Sequence, residues 1–264
     1  MCKTCGCAIP AAHTHKSVMS PAAQFTVVDV LQDLLAANNL TASHNRKHFD
    51  DHGVLAINLM SSPGSGKTAL LEATIFALKS RFRIAVIEGD LETENDAQRI
   101  RACGVPALQI TTGTACHLDA SLVHQALHTL PLAEVDLLFI ENVGNLVCPA
   151  SFDLGQHLNV TLLSVTEGDD KPAKYPVIFR ASDLVVLSKT DLLPVLDDFA
   201  PSRAASALRA LGMNLPMIHT AARRVPSIDA WLDWLESQLQ QRSIRPDAPR
   251  GRAIVDQEVL NPCA

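Results

Sequence analysis

Aromatic residues make up only 4% of this chain, with one tyrosine and two tryptophans. So thin a supply of rings excludes the stacking platforms on which unpaired bases are held. Basic side chains are in the minority, 22 Lys and Arg against 28 Asp and Glu, for a net charge of −6. A nucleic-acid partner needs a basic face for its phosphates, so no nucleic acid is expected here. Also lacking is any uninterrupted apolar run near the ~20 residues that cross a bilayer, and no membrane span is expected. Nor does a basic-plus-apolar leader open the sequence, which points to a cytoplasmic protein with reduced thiols. Seven cysteines in that setting suggest metal or redox chemistry in preference to disulfides.

What the chain does have is 264 residues, 47% of them hydrophobic, enough for one substantial core with tails to spare. Residues 1–24 hold Cys2, Cys5, Cys7, His13 and His15 without sustained apolar periodicity, and are expected to form a flexible metal-binding tail. From Phe25 to about Asn39 apolar residues recur at helical spacing, giving a helical extension over 25–49 with Gly53 as a stop. Continuous aliphatic runs follow at Val54–Met60, Ile84–Glu88, Ala107–Thr111, Val135–Ile140, Val160–Val165 and Leu184–Leu187. Runs that do not alternate are what strands covered on both faces look like. Helical patterns lie near 67–80, 93–103, 118–130, 197–211 and 227–241. Such alternation calls for right-handed crossovers and a mostly parallel sheet, an α/β domain over 50–243. Residues 244–264, rich in Pro and Arg, are expected to be a disordered tail.

Directly after the first strand comes Ser61-Ser-Pro-Gly-Ser-Gly-Lys-Thr68, followed by an amphipathic helix. The P-loop pattern asks for Gly, four residues, then Gly-Lys-Ser/Thr, and Ser61 stands where the first Gly would be. Gly64, Ser65, Gly66, Lys67, Thr68 and Ala69 are the candidate phosphate cradle, with backbone N–H groups gathered at a positive helix end. Lys67 would reach the β- and γ-phosphates and Thr68 would offer its hydroxyl to Mg²⁺. The expected architecture is therefore a P-loop NTPase three-layer sandwich preceded by the helical extension.

The base is chosen elsewhere. Ser188-Lys189-Thr190-Asp191 closes the last aliphatic run, where GTPases carry Asn-Lys-x-Asp. Asp191 would accept two hydrogen bonds from guanine, with the Lys189 stem along the ring. Adenine offers no such donor pair and would leave the carboxylate unpaired, a loss of a few kcal/mol. Ser188 in place of Asn removes one amide tether, which its hydroxyl replaces in part. Asp90 and Glu141 end the second and fourth strands and are candidate catalytic residues alongside Lys67. Asp90 is assigned to the attacking or Mg²⁺-bound water and Glu141 to the carboxylate behind Mg²⁺.

Cys116-His117 precedes a helix, and Cys148 follows Glu141 in "ENVGNLVCPASFD". Two thiolates and an imidazole suit Zn²⁺ or Ni²⁺. Cys148 also lies in the loop that would sense the γ-phosphate through Glu141 and Gly144. Cys103 and Cys263 receive no role.

These stretches together, "MCKTCGC", "LMSSPGSGKT", "VIEGDLETENDAQRI", "GTACHLDA", "ENVGNLVCPASFDLG", "SVTEGDDKPAKYP" and "LSKTDLLP", resemble the hydrogenase nickel-incorporation GTPases of the HypB family, SIMIBI-class P-loop proteins. The resemblance covers nearly all of the chain except the last twenty or so residues. It implies a slow, Mg²⁺-dependent GTPase that helps insert nickel into the large subunit of NiFe-hydrogenase. It implies a HypA-type nickel/zinc partner, in many cases the chaperone SlyD, and a homodimer promoted by GTP. It also makes Cys116, His117 and Cys148 the G-domain metal site near the interface. Cys2, Cys5 and Cys7, with the nearby terminal amine, then offer a three-sulfur, one-nitrogen set for square-planar Ni²⁺. Two histidines in the tail are too few for a nickel store. Rival readings are a nickel GTPase serving another enzyme such as urease, a small-molecule kinase, and a non-enzymatic metal buffer. "MCKTCGC" opposes the first and "SKTD" the second. The third predicts that Lys67→Ala is harmless.

Overall fold

Seven strands form one sheet in the order β3-β2-β4-β1-β5-β6-β7, and each adjacent pair is parallel. The structure is a computed structural model, and it describes residues 27–90, 94–113, 115–223 and 227–242. The strands are β1 (Leu55–Ser61), β2 (Ile84–Asp90), β3 (Ala107–Thr111), β4 (Leu137–Glu141), β5 (Leu158–Ser164), β6 (Leu184–Ser188) and β7 (Met217–His219). The helices are α1 (Val27–His52), α2 (Lys67–Leu78), α3 (Asn95–Ala102), α4 (Ala120–Leu127), α5 (Lys171–Lys174), α6 (Pro176–Arg180), α7 (Pro201–Ala210) and α8 (Asp229–Gln241). The sequence-based fold class is the observed one.

The aliphatic runs became strands because both of their faces are covered. On one face Ile57, Leu59, Val86, Phe139 and Val186 pack with Leu71 and Ile75 of α2 and Trp231 and Leu235 of α8. On the other, Ala56, Ile87 and Ile140 meet Phe49 of α1 and Val123 and Leu127 of α4. Beside them Leu163 and Leu187 meet Ile178, Phe179 and Leu208 of α6 and α7. All seven residues of β1 are buried. The run at Ala107–Thr111 is a strand as expected, yet it lies at the sheet edge and is only half buried. At the opposite edge the three-residue β7 was not anticipated.

The helical extension also runs further than its apolar pattern suggested. Its helix continues without a break to His52, and Gly53 at φ 68° ends it. The cause is a stripe of Asn38, Ala42, Asn45 and Phe49, all buried, at spacings of four, three and four. Asn45 fills a core position because its amide donates to the carbonyls of Ala120 (2.8 Å) and Leu154 (3.0 Å). The chain divides into two units at Leu34/Leu35, the first being described only for Val27–Leu34, whose Leu34 is exposed.

Candidate functional site

The loop after β1 turns because Gly64 and Gly66 adopt φ 73° and 96°, a region that side chains strain to enter. Gly66 caps the start of α2, so the next backbone N–H groups emerge at a helix N-terminus. Ser61, the departure from the consensus, has a structural task. Its buried Oγ accepts from Lys67 Nζ at 3.1 Å and donates to the Ser62 carbonyl at 2.6 Å. A carboxylate not foreseen from sequence grips the same loop: Ser62 Oγ donates to Glu167 Oε2 at 2.6 Å, and Ser65 Oγ to Glu167 Oε1.

Strand ends bring the remaining groups to this loop. Lys189 is the one non-glycine residue of positive φ (58°) among the described residues, and its Nζ donates to the Gly64 carbonyl at 2.7 Å. Such strain persists only where the surroundings enforce it. Ser188 Oγ donates to the Ser65 carbonyl at 2.7 Å, so the residue in place of Asn does tie β6 to the P-loop. Gly64–Ala69, Asp90, Glu141, Lys189 and Asp191 all border one cleft of 690 Å³. That volume suits a nucleotide-sized ligand. Arg99 also borders it, already held by Glu72 (2.6 Å) and Asp96 (2.7 Å).

Sequence reasoning missed Glu88. It faces Glu141 across β2 and β4 in direct register, and both are buried. Burial, then the Glu141 charge, pushes the Glu88 carboxyl up to about 11, and burial raises Glu141 as well although Lys67 opposes it. Like charges this close cannot both ionise, so the pair holds a proton at neutral pH. Thr68 Oγ1 donates to Glu141 Oε1 at 3.0 Å, and Lys67 Nζ lies 3.9 Å from the same oxygen. Oε2 of each glutamate is buried without a hydrogen-bond partner. Two orphaned carboxylate oxygens beside a threonine hydroxyl are a hard-oxygen set, which fits Mg²⁺. A second charged residue, Glu88, two positions before Asp90 in the run "IAVIEGD", was the available signal, since buried charge is costly unless it serves a site.

From Glu141 the chain runs directly to the thiols. Asn142 Oδ1 accepts from Leu118 N at 3.1 Å, and Asn145 Nδ2 donates to the Cys116 carbonyl at 3.3 Å. Gly144 passes so close to the P-loop that a Cβ there would meet Pro63 Cα at 2.8 Å. Cys116 Sγ lies 2.9 Å from Cys148 Sγ and 3.7 Å from His117 Nδ1. The donor atoms of these three residues all fall within 4.8 Å of one another. Sulfurs bound to one ion at ~2.3 Å sit about 3.3–3.8 Å apart, so these need part by less than about 1 Å. Burial lowers the His117 pKa, which favours the neutral ring a metal requires, and the ring stacks on Phe152 at 4.0 Å. The Cys148 thiol is pushed up, first by the hydrogen bond from Cys116 and then by burial. Cys2, Cys5 and Cys7 lie outside the described residues.

A parallel sheet with a P-loop, a Ser-Lys-Thr-Asp strand end and a thiol–imidazole set defines a nucleotide-binding P-loop protein that carries a candidate set of soft-metal ligands. A family profile described as "CobW/HypB/UreG, nucleotide-binding domain" matches residues 55–216. The hydrogenase maturation factor HypB of Rhizobium leguminosarum bv. viciae is 50% identical over 222 residues, 84% of this chain and 74% of that one. That of Escherichia coli K12 is 49% identical over 227 residues, 86% and 77% of the two chains. The crystal structure of HypB from Helicobacter pylori in complex with nickel aligns with a TM-score of 0.74 at 39% identity, covering 81% of this chain and 99% of that one. The chain belongs to the HypB family of hydrogenase maturation factors. Among the described residues no helix is long and apolar enough to cross a membrane.

Proposed function

We propose that this chain is a GTP-hydrolysing, Mg²⁺-dependent metallochaperone that helps insert nickel into the large subunit of NiFe-hydrogenase. One observation carries the reading: the segment Glu141–Cys148 touches Thr68 and Pro63 of the P-loop at one end and bonds to Cys116 at the other. A change at the phosphates therefore reaches the metal ligands through seven residues of continuous chain. Nickel in a 39%-identical relative of the same fold supports the choice of cargo.

In this reading Lys67 and the backbone of Gly64–Thr68 hold the phosphates, while Asp191 and Lys189 select guanine. Thr68, Glu141 and Asp90 hold Mg²⁺ or its waters. The cation supplies charge to the developing phosphate oxygens. Asp90, at the cleft edge, positions the attacking water. Loss of the γ-phosphate frees Gly144 from its place against Pro63, moves Cys148 relative to Cys116 and His117, and releases the ion. Cys2, Cys5 and Cys7 carry nickel on a tether. Zn²⁺ competes for the thiol set, a HypA-type protein and SlyD are the partners, and GTP promotes a homodimer in the cytoplasm.

The experiment is a pair of titrations on the full chain, Ni²⁺ with and without a non-hydrolysable GTP analogue, and the analogue with and without Ni²⁺. Coupling is reciprocal, so both must give one factor, expected at about 5–150-fold. Equal affinities in every arm would end the switch. GTP should be preferred to ATP, and turnover should stay below roughly 1 s⁻¹, since Arg99 at the cleft is already paired with Glu72 and Asp96 and Arg223, which also borders it, is exposed. Lys67→Ala should abolish hydrogenase maturation in cells. Normal maturation with that variant would leave only a metal buffer, and loss of urease but not hydrogenase would redirect the cargo.

A further inference from the structure

Three histidine rings from two helices converge where neither the nucleotide cleft nor the thiol set reaches. His48 comes from α1. His124 and His128 lie on α4 and its C-cap, four residues apart and so on one side of that helix. Ring centroids are 4.8 Å apart for His124–His128, 5.6 Å for His48–His124 and 6.4 Å for His48–His128. Burial, reinforced by the neighbouring rings, holds His48 and His124 below the ordinary imidazole value. At neutral pH those two rings are uncharged and keep a lone pair.

The tautomer of His124 can be read from its partners. Asn45 spends its amide hydrogens on the carbonyls of Ala120 and Leu154, so its Oδ1 is left to accept. His124 Nδ1 lies 2.9 Å from that oxygen and therefore carries the proton. Its Nε2 is then the bare nitrogen, and it faces His128 Nε2 at 3.3 Å. Nitrogens bound tetrahedrally to one ion at ~2.0–2.1 Å stand about 3.3–3.4 Å apart. A polar group fixing the far ring nitrogen is what metal-bound histidines also require, and the fully buried Asn45 supplies it. His48 stands farther off, since the donor atoms of the three rings do not all fall within 4.8 Å of one another, and it must close by about 1.5 Å or more to give a third nitrogen. His128 is exposed and His48 half buried, so an ion has access from solvent.

We propose that His48, His124 and His128 form a second transition-metal site, which takes a borderline divalent cation such as Zn²⁺, Ni²⁺ or Cu²⁺ on three imidazoles. Such ions prefer nitrogen donors, whereas Mg²⁺ prefers oxygen. The site is separate from Cys116, His117 and Cys148, and it stands whether or not those residues carry nickel.

The test uses the full chain with Cys2, Cys5, Cys7, Cys116 and Cys148 changed to Ser, titrated with Zn²⁺ against a chromogenic chelator. One equivalent should bind with micromolar or tighter affinity and raise the unfolding temperature. His128→Gln changes an exposed residue and should weaken that equivalent at least tenfold while leaving the metal-free unfolding temperature alone. His48→Gln should weaken it too, and His52→Gln, further along α1, should not. Cu²⁺ bound to the same parent should show imidazole nitrogen couplings that His128→Gln removes. If His128→Gln binds Zn²⁺ as its parent does, the rings are only hydrogen-bonded to one another and the site does not exist. Equal losses in His52→Gln and His128→Gln would likewise overturn the assignment.

Discussion

Gly144→Ala is the sharpest test of the link between phosphate and thiols. An added Cβ would stand 2.8 Å from Pro63 Cα, 2.9 Å from Pro63 N and 3.1 Å from Pro63 Cγ. Ordinary contact between such atoms is about 3.5–4.0 Å, so the overlap is roughly 0.7 Å or more. It falls on backbone, which no side-chain rotation relieves. Gly144 has no positive φ, so the backbone itself would accept alanine and the clash is the sole objection. Overpacking of this kind costs about 1–3 kcal/mol. The cheapest relief is for the segment between Glu141 and Cys148 to lift from the P-loop, the movement proposed to follow loss of the γ-phosphate. The variant should therefore resemble the spent state with nucleotide still bound. Affinity for a GTP analogue should fall by about 5–150-fold, the same free energy seen in binding. Nickel affinity without nucleotide should hold, and the factor by which nucleotide alters it should shrink toward one. Serine at Cys2, Cys5 and Cys7, together with His128→Gln to silence the three-imidazole site, confines the titration to Cys116, His117 and Cys148. A Gly144→Ala protein that binds nucleotide as the wild type does, with coupling intact, would refute the reasoning.

Two further outcomes follow from single contacts. Ser188→Ala removes the 2.7 Å bond to the Ser65 carbonyl and should weaken GTP binding about threefold to tenfold, checked by fluorescent-nucleotide titration. His157 accepts from Ala56 N at Nδ1 and donates to Asp50 at Nε2, and burial, then Arg242, lowers its pKa to about 4. A histidine depressed in the fold contributes stability that is full above its unfolded value of about 6.5 and is lost toward pH 4. The wild type should thus lose about 1.4 kcal/mol relative to His157→Gln between pH 7.5 and 5.5, read by urea unfolding.

What could be read from the sequence is what a buried sheet imposes on it. Strands such as β1 and β6 are buried at every position because both faces are covered, and are apolar apart from Asn58 and the closing Ser61 and Ser188, so a motif at a strand end inherits its place from the strand. β7 escaped because three residues with one side open carry no pattern. The apolar pattern of α1 faded past Asn39, although the helical extension over 25–49 and its stop at Gly53 were read, because two of the helix's four buried positions are asparagines, polar by type but satisfied by distant carbonyls and a backbone N–H. Glu88 and Glu141 lie 53 residues apart in the chain, and only the strand order β2-β4 makes them neighbours. The hold of Glu167 on Ser62 and Ser65 is invisible for the same reason. Local chemistry is written in sequence, whereas pairings between strand ends come from topology.

The Glu88–Glu141 pair shows what such a topology costs. Burial comes first among the causes that raise Glu88, and Glu141 second. A carboxyl raised in the fold contributes stability that is full below its ordinary value, near 4.5, and is lost as pH climbs toward the folded value. A pH of 7 lies about 2.5 units above the ordinary value, at about 1.4 kcal/mol per unit, so the ceiling is about 3.5 kcal/mol. Relaxation around the pair brings the expected cost to about 1–3 kcal/mol. Glutamine occupies nearly the same volume, donates as a protonated carboxyl does, and cannot ionise. Glu88→Gln should therefore unfold at higher urea than the wild type at pH 7, with the gap closing as pH falls toward 4.5. The same change removes an anion from the cleft, so Mg²⁺-dependent hydrolysis should drop at least tenfold. Opposite movement of stability and turnover is the mark of a charge kept for function. A glutamine variant less stable than the wild type, by an amount that does not vary between pH 5 and 7, would mean that Glu88 is ionised and paired in the fold, and the cleft would then have no vacancy for a cation to fill.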